Sequence, residues 1–221
     1  MLVNCNKDGL AMNQKSSYIP VITISLAVIN VLAFFLLEIL GDTEDVEFMM
    51  QIGAVYPSYL IEDGEYWRLL TATFMHFGFE HLLNNMLILL CAGPILEKAL
   101  GHIKFVILYL CAGVGGSTLS FLQMVKSKEY AVSAGASGAI FGIIGALLWI
   151  VIRHKGRYET LTGRGLLFMI ALSLYYGIRT GGIDNWGHIG GLVMGFVLGV
   201  LSYRKKPKEV DFDGEKPYTY I

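Results

Sequence analysis

Residues 131–152 read AVSAGASGAIFGIIGALLWIVI, twenty-two positions without a charged side chain. That length suits the roughly 20 residues an α-helix needs to cross the hydrocarbon of a bilayer. Only helices satisfy their own backbone polar groups in lipid, and no alternation of polar and apolar residues suggests a strand. The run therefore reads as a membrane span, and near its start lies Gly135-Ala136-Ser137-Gly138. A lone serine in such a run usually packs as a small residue and bonds the carbonyl one turn back. This one gains meaning from other polar groups in apolar surroundings: His81, Asn84, Asn85 and His188.

The composition agrees with a membrane protein. Of 221 residues, 54% are hydrophobic and 16% charged, and the mean hydropathy is +0.56. Soluble domains carry roughly 25% charged residues. A net charge of -1 gives no basis for binding nucleic acid. Cys5, Cys91 and Cys111 are odd in number and lack metal-ligand spacing. They read as inert packing residues rather than a disulfide framework, and neither metal nor other cofactor is implied. Residues 1–17 hold Lys7 and Lys15 but no small-residue cleavage site behind a short apolar core. The apolar run that follows has the length of a full span, so an anchor is expected and not a removed signal peptide.

The expected fold class is an all-α membrane protein with six spans: 18–40, 69–96, 105–125, 131–152, 165–178 and 186–203. The fifth is short, so it tilts, extends through 161–163, or crosses a thin region. The organisation is then a cytoplasmic segment 1–17, a six-span domain 18–203 with a large outer loop 41–68, and a cytoplasmic tail 204–221, to which no function is assigned. Orientation follows from the loop cations. Lys7, Lys15, Lys98, Lys104, Arg153, Lys155, Arg157, Arg164, Arg204, Lys205, Lys206 and Lys208 fall on one side, against Arg68, Lys126, Lys128 and Arg179 on the other. The positive-inside rule puts both termini in the cytoplasm. Loop 41–68 is acidic, which solvates it.

Spans two, four and six then run from outside to inside. Ser137 is expected in the early turns of span four, His188 at the start of span six, and His81 with Asn85 two to four turns into span two. At about 1.5 Å per residue all share the outer half of the membrane. His188, Gly191, Gly195 and Gly199 form one stripe on span six, and Gly138, Gly142 and Gly145 form a small-residue face on span four. Helices in lipid approach closely at such faces, which would carry Ser137 towards His188.

These groups suit acyl transfer. A hydroxyl is a poor nucleophile until a base within hydrogen-bond reach takes its proton. An imidazole removed from water stays neutral, the form a base requires. The tetrahedral oxyanion needs preset donors, which His81, an asparagine and the backbone N–H at Ser137 would supply. Asn84 and Asn85 lie three and four residues after His81, so spacing leaves both open. Asp184 precedes His188 by four residues, yet Gly187 and the pair Gly181-Gly182 read as a loop, so a serine–histidine dyad is expected. Phe141, one turn after Ser137, is placed to hold the imidazole by ring contact. His76 reads as a residue at the membrane edge, and His102 and His154 as solvated loop histidines.

Three other chemistries fit less well. His76-Phe77-Gly78-Phe79-Glu80-His81 has one residue too many for H-x-x-E-H, and on a helix its histidines would point about 140° apart. The elbow G-x-S-x-G fails at Ala139, with no strand before it. No inverted repeat or pair of broken helices supports a transporter.

The ordered set of motifs resembles the rhomboid intramembrane serine proteases, from about Gly53 to Tyr203. It comprises Trp67-Arg68, His76, His81-Leu82-Leu83-Asn84-Asn85, Glu97 with Gly101, Gly135-Ala136-Ser137-Gly138, and His188-Ile189-Gly190-Gly191 continuing to Gly195. The resemblance implies Ser137 as nucleophile, His188 as general base and acid, and His81 with Asn85 at the oxyanion hole. It also implies that the loop around Trp67 and Arg68 lies partly in the outer leaflet, that Glu97 is structural, and that substrates enter between spans two and five. Single-span or multi-span membrane proteins in the bilayer are the implied partners. Some relatives carry tyrosine where Phe141 stands, and ring stacking survives that change. Cytoplasmic termini and compact length suit a bacterial plasma membrane.

Overall fold

The computed structural model describes residues 18–205. Segments 1–17 and 206–221, with Cys5, Lys7, Lys15, Lys206 and Lys208, lie outside the described residues. The chain runs through α1 (Val21–Leu40), α2 (Val46–Ile52), α3 (Pro57–Ile61) and α4 (Arg68–Thr71), then a 3-10 turn (Ala72–Phe74). It continues through α5 (Gly78–Leu100), α6 (His102–Ser127) and α7 (Ser137–Arg153). A hairpin of β1 (Arg157–Tyr158) and β2 (Leu161–Thr162) leads to α8 (Gly163–Thr180) and α9 (Asn185–Ser202). By length and composition α1, α5, α6 and α9 are each apolar enough to cross a membrane, and α7 is a shorter apolar helix.

Two expected spans begin later than hydropathy suggested. Residues 69–77 are not the start of α5. Leu69 and Ala72 are apolar because they pack with Val55 and Leu60, so this stretch folds back on the segment between α1 and α5. Gly78 then starts α5 from a left-handed φ of 71°. His81 is accordingly in the first turn of α5 and not several turns inside it. Residues 131–136 are likewise not helical. Ser133 pairs with Val55 through two backbone hydrogen bonds of 2.9 and 3.0 Å, and Gly135 N–H donates to the Ala72 carbonyl at 2.8 Å. Gly135 turns the chain at φ 144°, so Ser137 is the first residue of α7. The fifth long helix exceeds its expected limits, with Thr162 Oγ1 capping it by accepting from Gly165 N–H at 3.1 Å. The two-residue strands before it were not expected at all.

The centre of the molecule is α7, with twelve of its seventeen residues buried. A helix apolar all round belongs inside. It packs more extensively on α9 than any other two elements pack together, and α6 completes the trio. The contact is backbone to backbone. A Cβ built on Gly191 would run into the Gly138 carbonyl, one on Gly195 into the Gly142 carbonyl, and one on Gly199 would come 2.9 Å from Ala146 Cα. The matched positions rise together along both helices, so α7 and α9 are parallel. In α8, by contrast, Leu166 and Ile170 are buried while Leu167, Phe168, Leu172 and Ile178 are exposed.

At the far end of the bundle Glu97 is fully buried on α5 and caps α1. It accepts from Ile22 N–H at 2.9 Å, Thr23 N–H at 2.8 Å and Thr23 Oγ1 at 2.6 Å. Donors at the first turn of a helix lack partners of their own, which this carboxylate provides. His102 and His154 are not simply solvated. His102 Nδ1 lies 2.6 Å from Glu97 Oε1, and His154 Nε2 lies 2.7 Å from the Tyr203 hydroxyl. Cys91 and Cys111 are exposed free thiols on the outside of the bundle, not the packed residues expected.

Gly195→Val places branched carbons inside the Gly142 backbone. It should destabilise the protein by about 3 kcal/mol or more, the upper range for overpacking, read as a lowered midpoint of thermal unfolding in detergent. Glu97→Ala should cost about 3 kcal/mol by stranding buried donors, and Glu97→Gln, which keeps an acceptor, clearly less.

Candidate active site

Ser137 and His188 come from the starts of two parallel helices. Ser137 opens α7, which has no side-chain cap, so the first N–H groups of that helix are not taken by a capping side chain. His188 sits in the first turn of α9 and is 6% exposed. Its ring stacks on Phe141, one turn after Ser137, with centroids 4.2 Å apart and planes 8° from parallel. This fixes the imidazole against α7 without a polar contact: Nδ1 is buried and has no hydrogen-bond partner.

The other predicted polar residues approach from α5. Asn85 is buried, and its Nδ2 donates to the His81 carbonyl at 3.1 Å, while Asn84 is exposed. The fold thus separates two asparagines that spacing alone left equal. His81 reaches the turn before Ser137 across Gly135. A Cβ there would lie 2.9 Å from His81 Nε2 and 3.7 Å from Ser137 Oγ, so both groups border one small volume. That glycine is required twice over, by its φ of 144° and by the imidazole beside it.

Two residues stand where the sequence did not put them. His76 is fully buried, accepts from Ala136 N–H through Nε2 at 3.4 Å, and meets the His81 ring at 5.2 Å. The two histidines expected to diverge come together because His76 precedes α5 instead of lying on it. Asp184 is the N-cap of α9, so the helix begins early and Gly187 is helical rather than looped. Its carboxylate does not bond the imidazole. Oδ1 accepts from Gly187 N–H at 2.8 Å and Oδ2 accepts from Ser133 Oγ at 2.6 Å. Ser133 went unnoticed in the sequence; an Asp three residues before Gly187 was the available signal for a cap.

A cleft of about 20 Å³ opens beside Ser137, lined by Gly135, Ser133, Ser117, Asp184 and Gly187 among others. That is room for roughly one water molecule among polar partners. Ser133 and Asp184 also line a larger recess of about 320 Å³ with Gln123, Glu129 and Trp186.

Residues 63–205 match the family model of the Rhomboid domain. The chain belongs to the rhomboid family. It is 41% identical over 177 residues to Rhomboid protease GluP of Bacillus subtilis, covering 80% of this chain and 34% of that protein. RHOMBOID-like protein 5 of Arabidopsis thaliana is 41% identical over 144 residues, 64% of this chain and 46% of that one. Rhomboid-like protease 1 of Toxoplasma gondii is 34% identical over 184 residues, 78% and 60% respectively. The chain therefore spans about a third to three fifths of the length of these relatives. Family and apolar helices together make this an integral membrane protein. Relatives occur in Bacillus subtilis, Arabidopsis thaliana and Toxoplasma gondii alike, so the family does not single out the expected bacterial plasma membrane.

The rhomboid chain's other motif residues lie apart from the cleft. Arg68 is buried and holds the segment between α1 and α5: Nε donates to Glu65 at 2.6 Å, Nη1 to the Ala54 carbonyl at 3.1 Å, and Tyr59 covers the guanidinium at 4.0 Å. Trp67 beside it is 48% exposed. Gly135→Ala should slow reaction of Ser137 with a fluorophosphonate about five- to a hundredfold, since left-handed strain alone amounts to about 1–3 kcal/mol. The measurement is labelling rate in detergent micelles.

Proposed function

We propose that this chain is an intramembrane serine endopeptidase that cuts transmembrane segments of other membrane proteins. The observation that carries the reading is the stacking of His188 on Phe141, one turn after Ser137 at the uncapped start of α7. The six long helices act as six spans with both termini cytoplasmic, and the site lies in the outer half of the membrane. Segments 1–17 and 204–221 flank the protease domain, and the stretch around Trp67 and Arg68 rests partly in the outer leaflet.

In the reaction, His188 takes the hydroxyl proton as Ser137 Oγ attacks the scissile carbonyl carbon. The oxyanion is held by His81, by the Asn85 amide hydrogen not given to the His81 carbonyl, and by backbone N–H at the head of α7. His188 then passes the proton to the leaving amine. Water, activated by the same imidazole, attacks the acyl-serine and releases the new carboxyl terminus. The small polar cleft at Ser137 offers water a place in an otherwise apolar bundle.

Substrate must present extended backbone, so helices weakened by glycine, proline or polar residues are preferred. A small side chain before the cut suits walls made of Gly113, Gly116 and Gly138. Entry between α5 and the largely exposed α8 is compatible with that helix's thin packing. No cofactor takes part in these steps.

The test is purified protein in liposomes with a labelled single-span substrate. Wild type should cut it, and Ser137→Ala and His188→Ala should lower the rate by at least ~10³-fold. His81→Ala or Asn85→Ala should lower kcat by ~10²–10³. Cleavage by Ser137→Ala at the wild-type rate would end this mechanism. Substrate held but uncut by wild type would mean a client-binding protein instead.

A further inference from the structure

The approach to α9 is tied to α8 by Asn185, whose Nδ2 donates to the Leu174 carbonyl at 3.0 Å, but the link before it is loose. Gly181 and Gly182 join α8 to α9 with φ of 70° and 71°, and a Cβ on either would meet nothing within 4 Å. Yet His188 sits only four residues beyond Asp184, in a helix whose first turn must be fixed to place an imidazole. The ring itself is held by apolar stacking alone, its Nδ1 without a partner. The glycine contact with α7 sets the register of α9 as a whole, and its first turn needs a tie of its own.

Asp184 makes that connection. One oxygen caps Gly187 N–H at 2.8 Å, its carbonyl accepts His188 N–H at 3.1 Å, and the other oxygen accepts from Ser133 Oγ at 2.6 Å. Ser133 is in turn fixed on both backbone groups by Val55, and lies four residues before Ser137. A single hydrogen bond thus joins the segment that delivers the nucleophile to the helix that delivers the base.

We infer that Ser133 and Asp184 are a positioning pair, which fixes the first turn of α9, and with it His188, against the segment leading to Ser137 through the backbone and not by contact with the imidazole. The inference rests on the reading of this chain as a Ser137–His188 protease. In a triad, a carboxylate orients the base by bonding its ring nitrogen; here the carboxylate does so at one remove, by fixing the first turn of the helix. Its charge is then secondary, and what counts is a planar group with two arms, one accepting from Gly187 N–H and the other bonded to Ser133 Oγ.

Two measurements test this on the full chain in detergent. Hydrogen exchange at residues 185–190 reads the tie whether or not the protein cuts peptides. Ser133→Ala should raise it several-fold and leave the midpoint of thermal unfolding in place. The rate of Ser137 labelling by a fluorophosphonate, with the kcat for a single-span substrate, reads the consequence. Ser133→Ala and Asp184→Ser should each lose about tenfold in both, the scale of a lost cap-type hydrogen bond. Asp184→Ser retains a capping oxygen too short to reach Ser133, so it separates the tie from helix capping even if Asp184→Ala unfolds. Asp184→Asn, whose Oδ1 keeps the Gly187 cap while Nδ2 donates to Ser133 Oγ, should recover to within about threefold of wild type, with the pH of half-maximal activity unchanged. Unchanged exchange in Ser133→Ala, or labelling at the wild-type rate, overturns the inference. So does an Asp184→Asn variant as slow as Asp184→Ser with a displaced pH midpoint, which would make the carboxylate's charge the active quantity. A wild type that neither labels nor cuts defeats the protease reading instead, and the exchange result still decides the tie.

Discussion

The structure depends on the backbone contact between α7 and α9. Gly138, Gly142, Gly191 and Gly195 carry no side chains, and each helix lays its main chain against the carbonyl oxygens of the other. Lipid tails are as apolar as leucine, so helices in a bilayer gain nothing from hiding apolar surface from water. Close approach and dispersion must hold them, and these need small residues in register. The same register sets the heads of both helices side by side. Packing and placement of Ser137 near His188 are therefore one constraint.

Around that pair the rest of the chain supplies what two helix ends cannot. α5 contributes His81 and Asn85, whose amide is turned inward by bonding the carbonyl one turn back. The stretch between α1 and α5 is pinned by buried Arg68, and through Val55 it holds the extended residues that lead into Ser137. His76 accepts from the peptide N–H immediately before Ser137 and packs on His81. At the opposite end Glu97 ties α1 to α5, well away from the cleft.

How far the sequence reached depended on which force set each feature. Long uncharged runs are written in composition, so the six long helices were legible to within a few residues at α1, α6 and α9. Residues 69–77 and 131–136 were misread because they are apolar for a different reason. They pack against the segment between α1 and α5, and hydropathy cannot distinguish that burial from a span. Cys91 and Cys111 were misjudged likewise, since apolar surroundings in a membrane protein include its outer surface. The glycine stripes were readable because a period of 3.6 residues survives in one dimension.

By itself the chain determined a helical membrane protein of the rhomboid family, with a serine, two histidines and two asparagines as its polar residues of interest. Those follow from side-chain chemistry, order and spacing, which are local properties. Only the tertiary structure decided that Asn85 faces inward and Asn84 outward, that His76 meets His81, and that Asp184 bonds Ser133 and not the imidazole. Each is a contact between residues distant in sequence or a choice of rotation about a helix axis. Such outcomes are set by which neighbours fill the space, and no stretch of sequence carries its neighbours with it.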